Sequence, residues 1–226
     1  MADNLATGGL FSAVPEHLAM RLFARAVPVR LGAEGLLFSA GEPGHGCYRV
    51  EQGLLKVCML SSAGAERILA ILGPGGILGE MAVLDGRPRS ASVTAIRESR
   101  LSFLSRAAFE AFADHHPELY KHLVSLLAGR LRDTDDIVAA TAFLPLTGRV
   151  AHSLLELAAA FGESVGDGRI VIRYKIGQSD LAAMAGVARE SVSRIVSEWS
   201  RRKLITRISG YYCLEDRAKL ERELKL

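Results

Sequence analysis

The amino-acid sequence predicts an α+β chain: a barrel or sandwich of short strands, then one long helix, then a helix-turn-helix flanked by strands. Three observations carry that prediction. Short apolar runs punctuated by glycines fill residues 27–104, a heptad of apolar positions runs through residues 117–143, and two short helical segments meet at Gly186. A period near 2 with regular turns belongs to strands, and periods of 3.5 to 3.6 belong to helices.

The chain has 226 residues, 49% of them hydrophobic, which is enough for two modest domains with proper cores. No apolar run approaches the ~18 residues of a membrane span. Met1-Ala2-Asp3-Asn4 opens without a basic segment followed by an apolar one, so the cytoplasm is the expected compartment. Cys47, Cys58 and Cys213 are far apart and form no CxxC, which argues against disulfides and cysteine-held zinc or iron–sulfur. His115, His116 and His122 lie close together, but no carboxylate or thiol completes a metal set, and they read as solvated helix-start residues. No nucleophile–base pair is legible either, so the chain is not expected to be an enzyme.

Residues 10–26 read as a short amphipathic helix with Leu18, Leu22 and Phe23 on one side. Apolar runs follow at 35–38, 48–50, 54–60, 68–72, 91–95 and 101–104, with Gly41, Gly44, Gly46, Gly53, Gly64, Gly73, Gly75 and Gly76 as turn residues between them. Ser105 can cap a short helix reaching residue 113, and Pro117 opens a long one. Along that helix Tyr120, Val124, Leu127, Leu131, Thr134, Val138 and Thr141 step by 4, 3, 4, 3, 4, 3. That is a heptad seam, and Leu119, Leu123, Leu126 and Ile137 form a second apolar flank. Two apolar flanks need two partners: the chain's own barrel on one side and a second copy of the helix on the other. Roughly 25 residues at 1.5 Å each span roughly 37 Å, which suits a parallel two-helix dimer.

Pro145 breaks the periodicity and Thr147 can cap the next helix, so a domain boundary and hinge fall here. Residues 149–161 form a helix, 162–168 a loop and 170–174 a strand; 204–208 and 211–214 form a hairpin turned by Ser209-Gly210. Between the strand and the hairpin lie the two helices of the helix-turn-helix. Leu181, Met184 and Ala185 face inward from the first, and Val192, Ile195, Val196 and Trp199 from the second. The second presents Arg189, Glu190, Ser191, Ser193 and Arg194 at its N-terminal end, where such helices meet base edges and phosphates. A solvated polar face fits the same residues. From Pro145 onward there are 14 basic and 10 acidic side chains, against 14 and 15 in the remainder, so this segment carries the whole positive excess. The balance favours a polyanionic partner.

Gly79-Glu80-Met81, followed by Arg89-Ser90-Ala91, marks a second site. The spacer, residues 83–88, is too turn-rich to read as a helix. The motif gathers a carboxylate, a guanidinium, a hydroxyl and backbone amides around one small pocket. Arginine and amides suit a phosphate, and glutamate suits sugar hydroxyls. A barrel loop with a surface salt bridge is the alternative reading of these residues alone.

Taken in order, these parts resemble the cyclic AMP receptor protein (catabolite activator) family, within the Crp–Fnr superfamily of bacterial transcription regulators. Three motifs carry the resemblance: Gly79-Glu80-Met81 with Arg89-Ser90-Ala91, Ala142-Phe143-Leu144 with Thr147-Gly148-Arg149, and residues 188–194. The resemblance implies a β-roll (double-stranded β-helix, jelly-roll) cyclic-nucleotide-binding domain over residues 1–116. It also implies a dimerisation helix over 117–143 and a winged helix-turn-helix over 144–226. It further implies that Glu80 bonds a ribose 2′-hydroxyl. Arg89 and Ser90, with amides near Gly79 and Ala91, hold a cyclic phosphate, while Leu69 and Leu72 line the base pocket. Thr134 reaches the base from its own helix and Asp135 approaches from the partner helix. Arg189 and Arg194 read guanines, Glu190 a cytosine, and Gln178 and Ser179 sit at the phosphate backbone of a TGTGA-like palindrome. A twofold dimer sets its reading helices about 34 Å apart. The implied ligand is cyclic AMP, with no covalent cofactor, and the implied partners are double-stranded DNA, a second copy of the chain and RNA polymerase.

Some positions depart from the family pattern. Asp135 stands where the family has a second adenine-contacting serine, and its carboxylate also suits guanine donors, so cyclic GMP stays open. Ala70 replaces a small hydroxyl, and Gly76 stands where Asp is frequent. Gly177 and Ala188 replace helix-capping Thr or Ser. A different sensor chemistry on the same scaffold (heme, redox or 2-oxoglutarate), or a nucleotide-binding subunit acting on a protein partner, are the alternative readings.

Overall fold

The computed structural model describes residues 14–224; the start of the first expected helix, at 10–13, lies outside them. The chain divides into two compact units between Arg132 and Asp133. The division falls inside the long helix.

The first unit begins with α1 (Glu16–Leu22). Five strands follow: β1 (Val27–Leu31), β2 (Leu36–Phe38), β3 (Gly46–Leu60), β4 (Glu66–Leu72) and β5 (Ile77–Leu78). Then come α2 (Glu80–Asp85), β6 (Ser92–Ser105), α3 (Arg106–Ala113) and α4 (Glu118–Phe143). The strands form one antiparallel sheet in the order β1-β6-β3-β4, with β2 added on β6 and β5 on β3. β3 and β6 are 15 and 14 residues long and pair along most of their length. The early part of β6 pairs with β2 and its later part with β1. One bent strand thus serves two layers, which is the expected roll.

The separate runs at 48–50 and 54–60 are one strand here, as are those at 91–95 and 101–104. Gly53 explains the difference. Its φ is +107°, and a Cβ there would lie 2.1 Å from Ser99 Oγ. The Ser99 hydroxyl accepts the Leu54 N–H at 3.2 Å. Gly53 therefore marks a kinked close crossing of β3 and β6, not a turn. Gly46 likewise sits at the start of β3, against the Leu104 carbonyl, and not in a turn.

Inside the roll, Phe38, Val50, Leu55, Leu72, Leu78, Val93, Ala95 and Leu101 form one core. A second core joins Leu18 and Leu22 of α1, Phe109 of α3 and Leu119, Leu123 and Leu126 of α4 to Cys47 and Leu104 of the sheet. Leu119, Leu123 and Leu126 of the second flank therefore pack on the chain's own barrel, whereas Ile137 lies past the division between the units. Each buried leucine contributes about 1.5–3 kcal/mol. The heptad seam stays open: Tyr120, Val124, Leu131 and Val138 are 46–65% exposed. Ser105 caps α3, accepting the Ala108 N–H at 3.3 Å.

The second unit contains the end of α4 and α5 (Leu146–Phe161), β7 (Gly162–Ser164), β8 (Ile170–Ile172), α6 (Gln178–Ala185) and α7 (Arg189–Arg201). β9 (Ile205–Ile208), β10 (Tyr211–Leu214) and α8 (Arg217–Arg222) complete it. The sheet order is β7-β8-β10-β9. Thr147 does not cap α5: the helix starts at Leu146 and extended Pro145 takes the cap position, because proline has no N–H to leave unmet. The expected loop after α5 begins as a strand, since residues 162–164 pair with 170–172. The sequence reading also lacks α8, whose start is capped by Asp216. Gly186, at φ +63°, joins α6 to α7, while Gly177 and Ala188 make no side-chain cap bond. Leu154, Leu181, Val192, Trp199, Ile205 and Tyr212 are at most 1% exposed.

Candidate functional site

Within the first unit, β5 delivers the chain to Gly79, whose φ of +75° turns it sharply into α2. The first three spacer residues complete α2, so the spacer is partly helical after all. The turn buries Glu80 to 1% exposure. Arg130 of α4 donates through Nη1 to Glu80 Oε1 and through Nη2 to the Ile77 carbonyl. The other carboxylate oxygen, Oε2, is buried without a hydrogen-bond partner.

Arg89 faces the same corner at 7% exposure. Its Nη1 donates to the Gly79 carbonyl at 2.9 Å, and its Nε is buried without a partner. Gly79 is needed for the fit, because a Cβ there would stand 2.3 Å from Nη1; a Cβ on Gly44 would meet Ala82 Cβ at 2.2 Å and the guanidinium carbon at 3.3 Å. The guanidinium lies over the Phe38 ring, 4.2 Å from its centroid. Burial lowers the Arg89 pKa, and Tyr48, Cys47, Glu80 and Glu42 oppose that shift.

The two motifs thus share one corner. Ser90, exposed beside Arg89, donates to Met81 Sδ at 3.6 Å, a weak contact that a phosphate oxygen would outcompete. Ala91 is buried next to it. Leu72 is packed in the roll's core, whereas Leu69 is half-buried and unpaired at a bulge, because Val57 pairs with Ala70 and Cys58 with Ile68. Thr134 and Asp135 lie on α4 beyond the division between the units, and both are exposed.

Arg130, Phe38 and Tyr48 belong to neither sequence motif. A signal for Arg130 existed: the apolar flank Leu119, Leu123, Leu126 steps next onto residue 130, where a charge interrupts it. A buried acid across the contact is a natural reason for such an interruption. Nothing local marks the two aromatics.

In the second unit, Arg189, Glu190 and Arg194 of α7 are exposed, while Ser191 and Ser193 are half-buried beside them. Arg194 Nη2 lies 3.5 Å from Ser191 Oγ. Val192, Ile195, Val196 and Trp199 anchor the opposite face, so the polar residues sit on a firmly held helix. Gln178 and Ser179 occupy the first turn of α6, half-buried and exposed respectively.

Residues 28–116 match the cyclic nucleotide-binding domain family, and residues 148–223 match the Crp-like helix-turn-helix domain family. The chain is 31% identical over 225 residues, covering 100% of both, to a CRP-like cAMP-activated global transcriptional regulator of Mycobacterium tuberculosis. It is 36% identical over 180 residues to the cyclic AMP receptor protein of Thermus thermophilus, covering 79% of this chain and 78% of that one. A crystal structure of a CRP/FNR-family transcriptional regulator, also from Thermus thermophilus, superposes with a TM-score of 0.71 at 28% identity. That match covers 88% of this chain and 99% of the other.

Proposed function

Because the chain belongs to the Crp–Fnr family of DNA-binding transcription regulators, which are not enzymes, we propose that it works as a homodimer whose operator binding is switched by cyclic AMP. The observation that carries this reading is the pair of unmet atoms at one corner: Glu80 Oε2, an acceptor, and Arg89 Nε, a donor. A buried polar group without its partner costs about 1–3 kcal/mol. A ligand that donates a sugar hydroxyl and presents an anionic phosphate satisfies both. A ribose 3′,5′-cyclic phosphate has that chemistry: its 2′-hydroxyl serves Glu80, and its phosphate serves Arg89, Ser90 and the amides near Gly79 and Ala91. Leu69 and Leu72 on the base, with Thr134 and Asp135, keep the roles that the family resemblance gives them.

Glu80 also holds Arg130, so a ligand docked on Oε2 pulls on a carboxylate already tied to α4. The exposed heptad seam of α4 is self-complementary and suits a second copy of the same helix. Ligand tension on α4 would then bias the pairing of the helices and, through the segment around Pro145, the α7 reading helices. In this reading Arg189, Glu190, Ser191, Ser193 and Arg194 meet a TGTGA-like half-site, with Gln178 and Ser179 on phosphates. The regulator acts in the cytoplasm, on RNA polymerase. The relatives named for cyclic AMP support the choice of nucleotide. Asp135 supports cyclic GMP as the second reading, since its carboxylate can accept guanine's donors.

Titration of a labelled palindromic site at fixed salt, with and without each cyclic nucleotide, tests the switch. Tighter binding with cyclic AMP than without it is expected. Equal affinity in all three conditions sinks the proposal.

A further inference from the structure

We propose that Phe38, flanked by Tyr48, is a positioning residue: an aromatic seat that orients the Arg89 guanidinium so that its Nε/Nη2 edge meets the phosphate. The inference rests on the reading of Arg89 as the phosphate-binding cation.

The seat is built from three strands. Phe38 comes from β2, Tyr48 from β3 and Phe103 from β6, with ring centroids 6.0 Å and 5.0 Å apart in that order. The Arg89 guanidinium carbon lies 4.2 Å from the Phe38 centroid and 5.9 Å from that of Tyr48. Those distances lie within the range of cation–π attraction, which strengthens when the cation is desolvated. Arg89 is desolvated, and the Gly79 carbonyl takes only its Nη1. The ring face therefore supplies attraction that water gives an exposed arginine.

Geometry then selects the working edge. With Nη1 committed to Gly79 and the guanidinium carbon over the Phe38 ring, Nε and Nη2 are left for a bidentate acceptor. Nε on that edge is the atom buried without a partner. A Cβ on Gly79 would stand 2.3 Å from Nη1, so this glycine leaves the guanidinium its room. A guanidinium, unlike an ammonium, can lie over a ring and still donate from its edge. Holding the group in place before the ligand arrives removes its ordering cost from binding. Neither sequence motif contains Phe38, which by burial alone is an ordinary core residue.

The test keeps the packing and changes the ring electronics. Phe38 is replaced by mono-, di- and trifluorophenylalanine, which weaken the ring quadrupole at nearly constant shape, alongside Phe38→Leu and Arg89→Ala. The probes are cyclic AMP, titrated calorimetrically, and the Arg89 Nε–H resonance of the ligand-free protein. The expected result is an upfield ring-current shift of that resonance, lost in Phe38→Leu. Affinity for cyclic AMP should fall stepwise with fluorination, and about three- to thirty-fold in Phe38→Leu. An Arg89 resonance without the shift overturns the seat. So does unchanged affinity across the series while Arg89→Ala abolishes binding. Failure of the unsubstituted protein to bind either cyclic nucleotide overturns the nucleotide reading instead, and the ligand-free resonance still judges whether Phe38 orients Arg89.

Discussion

Arg130 and Glu80, fifty positions apart in the chain, form a buried ion pair in which the carboxylate is 1% exposed and the guanidinium side chain keeps 27%. The pair ties the turn after β5 to the long helix. Removing one partner strands the other, whereas removing both leaves no unmet charge. Arg130→Met should destabilise the first unit by about 2–4 kcal/mol, less than for a fully buried cation because Arg130 keeps partial solvent contact. Glu80→Gln/Arg130→Met should recover most of that loss. Denaturant unfolding of the double-mutant cycle checks it, and simple additivity of the two changes contradicts the pairing.

Gly79 serves both the backbone and the site. At φ +75°, and with a Cβ only 2.3 Å from Arg89 Nη1, alanine strains the turn and displaces the guanidinium. Gly79→Ala should cost about 1–3 kcal/mol of stability and weaken cyclic nucleotide binding. Glu80→Ala and Arg89→Ala should weaken binding tenfold or more. Calorimetric titration, with unfolding curves to separate the two effects, checks all three.

On α7, Arg189, Glu190 and Arg194 are exposed, so trimming them should leave the fold intact. Arg194→Ala should cost about 1–3 kcal/mol against a cognate palindrome and far less against random DNA. Anisotropy titrations at one salt concentration measure both. An equal loss on the two DNAs would make Arg194 a phosphate contact and not a base reader.

His152 of α5 gives the second unit a pH dependence. Burial lowers its pKa from 6.5, and Asp136 of α4 opposes the shift. A depressed folded-state value means that the unfolded chain takes the proton first. Stability from this group is complete above about 6.5 and is lost as pH falls through the folded value. The melting temperature should therefore drop between pH 7 and pH 5, and His152→Gln should flatten that drop. An unchanged slope in the variant removes His152 as the cause.

Much of this molecule is legible locally. The apolar run of residues 68–72, the heptad from Tyr120 to Thr141 and the Gly186 turn each follow from a short-range pattern or a single backbone requirement, and the structure keeps a strand, a helix and a turn there. The site motifs are legible as well, because Gly79-Glu80 and Arg89-Ser90 lie on either side of one short turn. The glycines mislead where the same residue type serves another purpose. Gly46 and Gly53 mark close approaches to β6, and nothing next to them in sequence says so.

By itself the sequence determined the succession of a strand-rich part, a long helix and a helix-turn-helix, the apolar flanks of α4, the reading helix and the carboxylate–guanidinium motif. Periodicity and turn chemistry act over a few residues and need no distant partner. Only the tertiary structure decided that β3 and β6 run unbroken past Gly53, that Arg130 closes on Glu80 and that Phe38 lies beneath Arg89. Those outcomes depend on how long strands bend and which atoms they bring together from far along the chain. A repeating pattern encodes which face of an element is buried, but not which distant side chain it will meet.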